Sequence, residues 1–506
     1  MSTITKEERR SHPFGPRTAW LVASSCVLAI SAILRLYDLG LNPLHQDEGV
    51  NAFFSLRLYN EGFYQYDPTN YHGPTLYYFA LAALRLFGLS TFAIRLAPAL
   101  FGVATVWLVL CLRRHAGTVG ALAGAALVAV SPGAVYMSRY FIHESLFVFF
   151  TLAVVVAALR YLDTGRIVYL MLASLAAALA FATKETVIIS ASVLILAFFL
   201  TPLLIDIRRG SVSKEGPSEW EKNMRGYLKW LIAAGLFVFV SGLFYSSFFS
   251  NERWAKDVLI SFQYWARTGR SGHDHSWYTY ISWLMKEELF VLALGLAGAG
   301  LILWRASNRF LIFILLWFCG LLFAYSFIPY KTPWLTLNLI IPLAIIGGHA
   351  LDAVGRRAKN SKQRALAAGA VGIIICATLY ETIRLNYLEY DDNSHPYVYA
   401  HTHRDFLSLT NEVSKLANNS AAGLDTAITI TSSEYWPLPW YLRDYKQVAY
   451  LEQVRGLTGT IVIGSEDQES ELRAALGDRY ERIGSYVLRP GYNLILYALR
   501  DKDDLQ

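Results

Sequence analysis

The 506-residue chain is 54% hydrophobic and only 17% charged, with a mean hydropathy of +0.34. A soluble domain carries about a quarter charged residues, so too few charges remain to coat a water-soluble globule of this size, and the apolar content excludes a disordered chain. The net charge of +6 is scattered between apolar runs rather than gathered on one face, which speaks against a nucleic-acid partner.

A membrane-crossing helix needs about 20 mostly apolar residues. The first such run, Ala19 to Leu34, follows a basic start (Lys6, Arg9, Arg10, Arg17) and precedes Arg35-Leu-Tyr-Asp rather than a small-residue cleavage site, so it reads as a retained first span. Ten further runs follow, which predicts about eleven spans: 18–37, 95–112, 119–137, 145–162, 167–183, 186–205, 228–248, 289–304, 310–328, 334–351 and 366–383. The lone cysteines in or beside these runs (Cys26, Cys111, Cys319, Cys376) read as small buried hydrophobes. Arg113-Arg114, Arg166, Arg305 with Arg309, and Arg356-Arg357 in short loops, and Arg208-Arg209 in the longer polar linker 206–226, all fall on one side. That side is therefore assigned to the cytoplasm, together with the N-terminus.

The long segments 38–94, 249–287 and everything after about 384 then lie outside. Residues 1–383 form the expected membrane domain, with outer loops 38–94 and 249–287, and residues 252–267 have the pattern of an amphipathic interfacial helix. From 384 the apolar runs shorten to strand length (427–431, 448–451, 460–464, 494–498) and alternate with helix-like stretches at 405–416 and 465–476. That pattern predicts an extracytoplasmic α/β domain over 384–506. The expected architecture is a polytopic α-helical membrane protein of the cell (plasma or inner) membrane carrying this domain.

The residues able to do chemistry cluster in the outer segments. His45-Gln-Asp47-Glu48-Gly49 places two adjacent carboxylates just after the first span, ahead of a helix expected to start near Gly49. Neighbouring helical positions point about 100° apart, so one acid faces a site and the other orients it or binds a neighbour. Asn70-Tyr-His72-Gly-Pro74-Thr-Leu-Tyr-Tyr is a turn that opens a helix at Pro74. Phe87-Gly then leads into Arg95-Leu-Ala-Pro98 at the head of the second span.

This ordered set resembles the GT-C glycosyltransferase superfamily, in the branch of the protein O-mannosyltransferases and the aminoarabinose transferases of lipid A. The finer similarity is to the multispanning archaeal-type "flippase activity-associated" proteins. The resemblance extends through Ser138-Arg139-Tyr-Phe-Ile-His143-Glu144, Ala182-Thr183-Lys184-Glu185, Pro329-Tyr-Lys331-Thr-Pro333-Trp334 and Tyr435-Trp436-Pro437-Leu-Pro439-Trp440-Tyr441-Leu442-Arg443. It implies a GT-C fold and an inverting transfer of a sugar from a polyprenyl-phosphate donor to an acceptor hydroxyl on a protein, glycan or lipid, at the outer face of the membrane.

Such chemistry needs a base for the acceptor hydroxyl and cations for the departing phosphate. Asp47 is the expected base and Glu48 its supporting acid. Lys184, Lys331 and Arg139 are the expected donor-phosphate ligands. His72 and Glu144 are substrate-binding candidates, with pairing to Arg139 the other reading for Glu144. Glu185 reads as a neutraliser of Lys184, and His143 as an interfacial aromatic.

Gly272-His273-Asp274-His275-Ser-Trp277-Tyr278 reads as a loop over the sugar, with His273, Trp277 and Tyr278 as contacts. Its two histidines and aspartate have metal-ligand chemistry, but ligands so close rarely complete a site unaided. A divalent metal ion is left open and no cofactor is assigned. Trp436, Trp440 and Arg443 have the chemistry of a sugar-stacking loop, or of a stiff turn packed against the protein. A non-enzymatic protein that moves or helps flip lipid-linked sugars is the alternative reading. The span interiors are nearly free of charge, which favours surface chemistry over a transport path.

Overall fold

The computed structural model describes residues 15–209, 226–268, 275–305 and 308–500. In chain order the helices are α1 (Pro16–Leu36), α2 (Gln46–Glu61), α3 (Thr75–Phe87), α4 (Thr91–Cys111), α5 (Arg113–Ala116), α6 (Thr118–Val130), α7 (Pro132–Ser138), α8 (Glu144–Thr164), α9 (Ile167–Phe181) and α10 (Val187–Arg209). They continue with α11 (Tyr227–Tyr245), α12 (Trp254–Thr268), α13 (Thr279–Glu287), α14 (Leu289–Arg305), α15 (Arg309–Phe327), α16 (Thr336–Arg357) and α17 (Ser361–Ile383). The tail adds α18 (Asp405–Asn419), α19 (Leu438–Tyr441) and α20 (Glu469–Leu476), with strands β1 (Ile428–Ile430), β2 (Val448–Tyr450), β3 (Ile461–Ser465), β4 (Tyr480–Arg489) and β5 (Tyr492–Leu499).

Among the described residues, eight helices are single rods long and apolar enough to cross a membrane: α1, α4, α8, α10, α11, α15, α16 and α17. Two of the expected spans belong to bent pairs, α6 with α7 at 61° and α13 with α14 at 115°. The eleventh, 167–183, is the shorter α9 of 15 residues. Hydropathy sees no break at Ser131 because the residues on either side are equally apolar. Pro132 has no N–H to give, so it starts a new helix at no hydrogen-bond cost, and the Ser131 hydroxyl caps α7 by accepting from the Ala134 N–H at 3.1 Å.

The chain divides into two units. The first comprises residues up to 37, 65–76 and 96–386. Its core runs along α16, which is buried over nearly its whole length. Small residues let neighbouring backbones approach it: a Cβ added at Gly124 of α6 would lie 3.2 Å from the Ala344 carbonyl oxygen. This is the close packing that small residues permit between helices in lipid.

The break between α6 and α7 is held by polar side chains from other helices. Arg35 of α1 donates to the Val128 and Ala129 carbonyls at 3.0 and 2.9 Å. Thr382 of α17 donates to the Val130 carbonyl at 2.5 Å, and Asn386 to that of Pro132 at 3.3 Å. Glu288, at the bend between α13 and α14, accepts from the Ser131 hydroxyl and the Gly133 N–H at 2.8 and 2.7 Å. A backbone freed from its helix inside an apolar protein must find such partners.

The cysteines depart from expectation. Cys26, Cys319 and Cys376 are exposed on apolar helices and Cys111 is half-buried; all four are free thiols. Apolar residues on the outside of a membrane bundle face lipid, so hydrophobicity does not imply burial there.

The second unit comprises residues 38–64, 77–95 and 387 onward. Its sheet has the order β2-β1-β3-β5-β4. β1 pairs in parallel with β2 and β3, and β5 pairs antiparallel with β3 and β4. Ile428 and Ile430 of β1 sit opposite Ile461 and Ile463 of β3, and these pack with Phe406, Leu409 and Val413, one stripe of α18. The other face, Val462, Ile495 and Tyr497, is covered by Leu472 and Leu476 of α20. Strands with both faces buried read as continuous apolar runs, which is why β1 and β3 were visible in the sequence. β4 was not, because it lies at a sheet edge and its residues are mostly partly exposed.

Candidate active site

The acidic pair sits on the first turn of α2, in the second unit. Helix α2 begins at Gln46, three residues before the expected start, because His45 caps it. The His45 Nδ1 accepts from the Asp47 N–H at 3.0 Å, and the Glu48 carboxylate accepts from the His45 N–H at 3.0 Å. This reciprocal box satisfies donors that a helix start leaves orphaned.

The two acids then part company. Glu48 is fully buried, and Arg95 clamps it with Nε to Oε1 at 2.7 Å and NH2 to Oε2 at 2.6 Å. The same guanidinium donates to the Leu39, Asn42 and Pro43 carbonyls, fixing the segment that leads into α2. The Asp47 side chain, by contrast, is 44% exposed. One carboxylate is thus sealed in an ion pair, and the other stands open on the first turn of the helix.

The tail's aromatic loop packs on this helix. A Cβ at Gly49 would lie 2.7 Å from the Pro437 Cβ, and Trp436, half-buried, meets Phe53 edge-on at 6.0 Å. The Trp436-Pro437 peptide is cis. Trp440 is buried, its indole N–H donating to Thr91 Oγ1 at 3.3 Å. Arg443 lies over the Trp440 ring at 4.5 Å and donates to the Trp440 and Leu89 carbonyls. Of these three sugar-contact candidates, only Trp436 presents an open ring.

The first unit holds the expected cations. Lys184, in the turn between α9 and α10, is buried and pairs with Glu144 at the start of α8; Asn338 of α16 donates to the other Glu144 oxygen. Glu144 therefore pairs with Lys184, not Arg139. Glu185, beside Lys184 in sequence, directs its hydrogen bond elsewhere: it accepts from His72 Nδ1 at 2.9 Å. Burial alone would raise the Glu185 carboxyl, but the charge and hydrogen bond of His72, with Lys184 nearby, hold it below the usual carboxylate range. His143 is buried; its Nε2 lies 3.1 Å from the Gly73 carbonyl and its ring 4.7 Å from that of His72. Burial first, then His72 and Lys184, push its pKa well down.

Lys331 is buried and donates to the Ser326 and Ile328 carbonyls at the end of α15 at 3.1 and 2.6 Å. Arg139, at the end of α7, donates to the Tyr37 carbonyl at 2.5 Å. Within this unit, Lys184, Glu144, Glu185 and His72 form one cluster. Trp277 and Tyr278 are exposed at the start of α13. His273 lies outside the described residues. Among the described residues no three His, Cys, Asp or Glu side chains gather in metal-binding reach.

Three residues the sequence reading left without a role complete these clusters: Arg95, Asn338 and His45. Arg95 had a signal, a lone cation heading an apolar helix. Asn338 had none.

The model of the dolichyl-phosphate-mannose-protein mannosyltransferase family matches residues 71–218. No curated protein matches the chain by sequence. Among solved structures, ArnT from Cupriavidus metallidurans bound to undecaprenyl phosphate is 14% identical, with a TM-score of 0.64 over 95% of this chain and 98% of its own. The archaeal oligosaccharyltransferase AglB from Archaeoglobus fulgidus, in complex with an inhibitory peptide and a dolichol-phosphate, is 14% identical, with a TM-score of 0.57 over 91% of this chain and 71% of its own. The chain has the GT-C fold, that of a multispan membrane protein with a small tail sheet, as the resemblance implied.

Proposed function

We propose that the chain is an inverting glycosyltransferase, moving a sugar from a polyprenyl-phosphate donor to an acceptor hydroxyl at the outer face of the membrane in which it is embedded. The observation that carries this is the asymmetry of the acidic pair: Glu48 sealed against Arg95, Asp47 open beside it. A base must be reachable by the hydroxyl it deprotonates, and Asp47 is.

The chemistry balances with few parts. As the acceptor oxygen attacks the anomeric carbon, Asp47 takes its proton. The bond from that carbon to the phosphate oxygen breaks, and its electron pair leaves with the polyprenyl phosphate. Attack opposite the leaving group inverts the anomeric centre. Lys184, Lys331 and Arg139 are the cations we assign to the phosphate, whose charge grows as the sugar departs. His72 and the aromatics Trp277, Tyr278 and Trp436 are assigned to substrate. A lipid-phosphate donor is supported by the undecaprenyl phosphate bound to ArnT and the dolichol-phosphate complexed with AglB.

The test is turnover of a panel of synthetic sugar-phosphate-polyprenols by the purified protein, counting released polyprenyl phosphate. Asp47→Asn keeps the size and hydrogen bonding but accepts no proton, and is expected to lower turnover by at least about a hundredfold. An Asp47→Asn protein as fast as wild type removes Asp47 as the base. A wild type inert across the panel favours the flipping-accessory reading.

A further inference from the structure

Asp47 does not hold its own place. Its backbone N–H is bound by the His45 imidazole, and the geometry determines which tautomer that imidazole adopts. Nδ1 accepts from the Asp47 N–H, so it carries the lone pair. Nε2 lies 3.1 Å from the Tyr399 carbonyl oxygen, which can only accept, so Nε2 carries the hydrogen. Helix starts are usually capped by Ser, Thr, Asp or Asn. Histidine adds reach, because one ring caps α2 and at the same time grips a backbone carbonyl 354 residues away.

The rest of the turn is clamped from the same segments. The Leu44 N–H donates to the Tyr441 hydroxyl at 2.9 Å, the Thr402 hydroxyl donates to the Leu44 carbonyl at 2.7 Å, and Pro437 closes on Gly49. The tail of the chain therefore builds the turn that carries Asp47. From this we infer that His45 is a positioning residue for Asp47: as a neutral imidazole anchored on the 399–402 segment, it sets the first turn of α2 and with it the aim of the catalytic carboxylate. The inference rests on the reading of Asp47 as the base.

It also predicts a response to acid. A proton on Nδ1 would replace the acceptor with a donor facing the Asp47 N–H, and the cap would open. The groups around His45 are Asp47, at 3.9 Å, and Glu48 on α2, then Tyr399 and His401 on the anchoring segment, Arg95 beyond His401, and Arg489 from β4. The His401 ring lies 4.9 Å away and is likewise buried. Burial, the largest influence, lowers the pKa of His45 despite the two acids, and with help from His45 and Arg95 it lowers that of His401 well below normal. Both rings thus stay neutral at neutral pH, and the turn loosens as pH falls below the ordinary histidine value of about 6.5.

The experiment measures kcat and KM for a synthetic donor against pH, in the full-length protein and in His45→Ala, His45→Asn and Asp47→Asn. His45→Ala is expected to lower kcat roughly tenfold to a hundredfold, the scale of an ångström of misplacement, with KM for the donor nearly unchanged. His45→Asn restores a cap acceptor that cannot titrate. It is expected to recover most of kcat and to flatten the acidic limb of the profile. A slow Asp47→Asn beside a His45→Ala with wild-type kcat and pH profile would sink the positioning role while leaving the base intact. A fully active Asp47→Asn would sink the base itself. Should His45→Ala fail to fold, His45→Asn decides: an acidic limb identical to wild type overturns the proposal.

Discussion

Two clusters in this molecule pair a buried glutamate with a cation, and they leave different chemistry open. In the tail-containing unit, Glu48 and Arg95 are sealed together and the neighbouring Asp47 is 44% exposed. In the helical unit, Glu144 and Lys184 are sealed together, the neighbouring Glu185 is buried too, and the one partly open group is His72, its side chain 28% exposed. Each cluster thus presents a single titratable group on a rigid ionic base, a carboxylate in one and an imidazole in the other. A charge taken out of water and bonded to its opposite is held in one place, and it fixes the position of the reachable group beside it.

The most damaging change this comparison predicts is Arg95→Leu. It strands the Glu48 carboxylate in a site with no exposure, and breaking a buried pair from one side costs about 3–5 kcal/mol. Thermal unfolding in detergent should fall sharply, and little folded protein should be recovered. An Arg95→Leu protein as stable as wild type would mean that Glu48 is not scaffold, and the contrast with Asp47 would collapse.

The second cluster offers a sharper test, because stability and activity can be separated there. Lys184→Met together with Glu144→Gln removes both charges and keeps the volumes, and such paired replacements are often neutral for stability. If Lys184 also serves the departing phosphate, the double variant should fold normally yet turn over about one to three orders of magnitude more slowly, the loss expected for a preorganised donor. Normal turnover in a folded double variant would reduce the pair to scaffold, like Glu48 and Arg95.

Much of this was legible along the chain, and the reasons differ by level. Spans and buried strands announce themselves because burial in lipid or between helices demands unbroken apolar runs. The acidic pair was visible because two charges beside an apolar stretch need an explanation. The partners were not. Glu48 finds Arg95 47 residues on, Glu144 finds Lys184 at 40 and Asn338 at 194, and Glu185 turns to His72 at 113. No local periodicity encodes a choice made by tertiary packing, so in sequence Glu185 stands beside Lys184 like a counter-ion while its hydrogen-bond partner is His72. The cap at His45 was hidden for another reason. Histidine is not among the usual capping residues, and its second anchor lies in the tail.

The smallest predicted effect isolates burial from charge. Helix α2 carries, besides Glu48, an ion pair of the same chemistry on its outer surface: Arg57 and Glu61, four residues apart, at 3.3 Å, with side chains 50% and 51% exposed. There water screens both charges before and after they meet, and the two long side chains lose freedom by pairing. Arg57→Gln should therefore cost no more than about 0.5 kcal/mol, and turnover should be unaffected. The measurement is a pair of unfolding curves, Arg57→Gln beside Arg95→Leu, in the same detergent. If the two fall by similar amounts, the stability of α2 depends on its guanidinium–carboxylate pairs as such. If only Arg95→Leu falls, the sealing of Glu48 is what holds the turn, and Asp47 stands open because its neighbour does not.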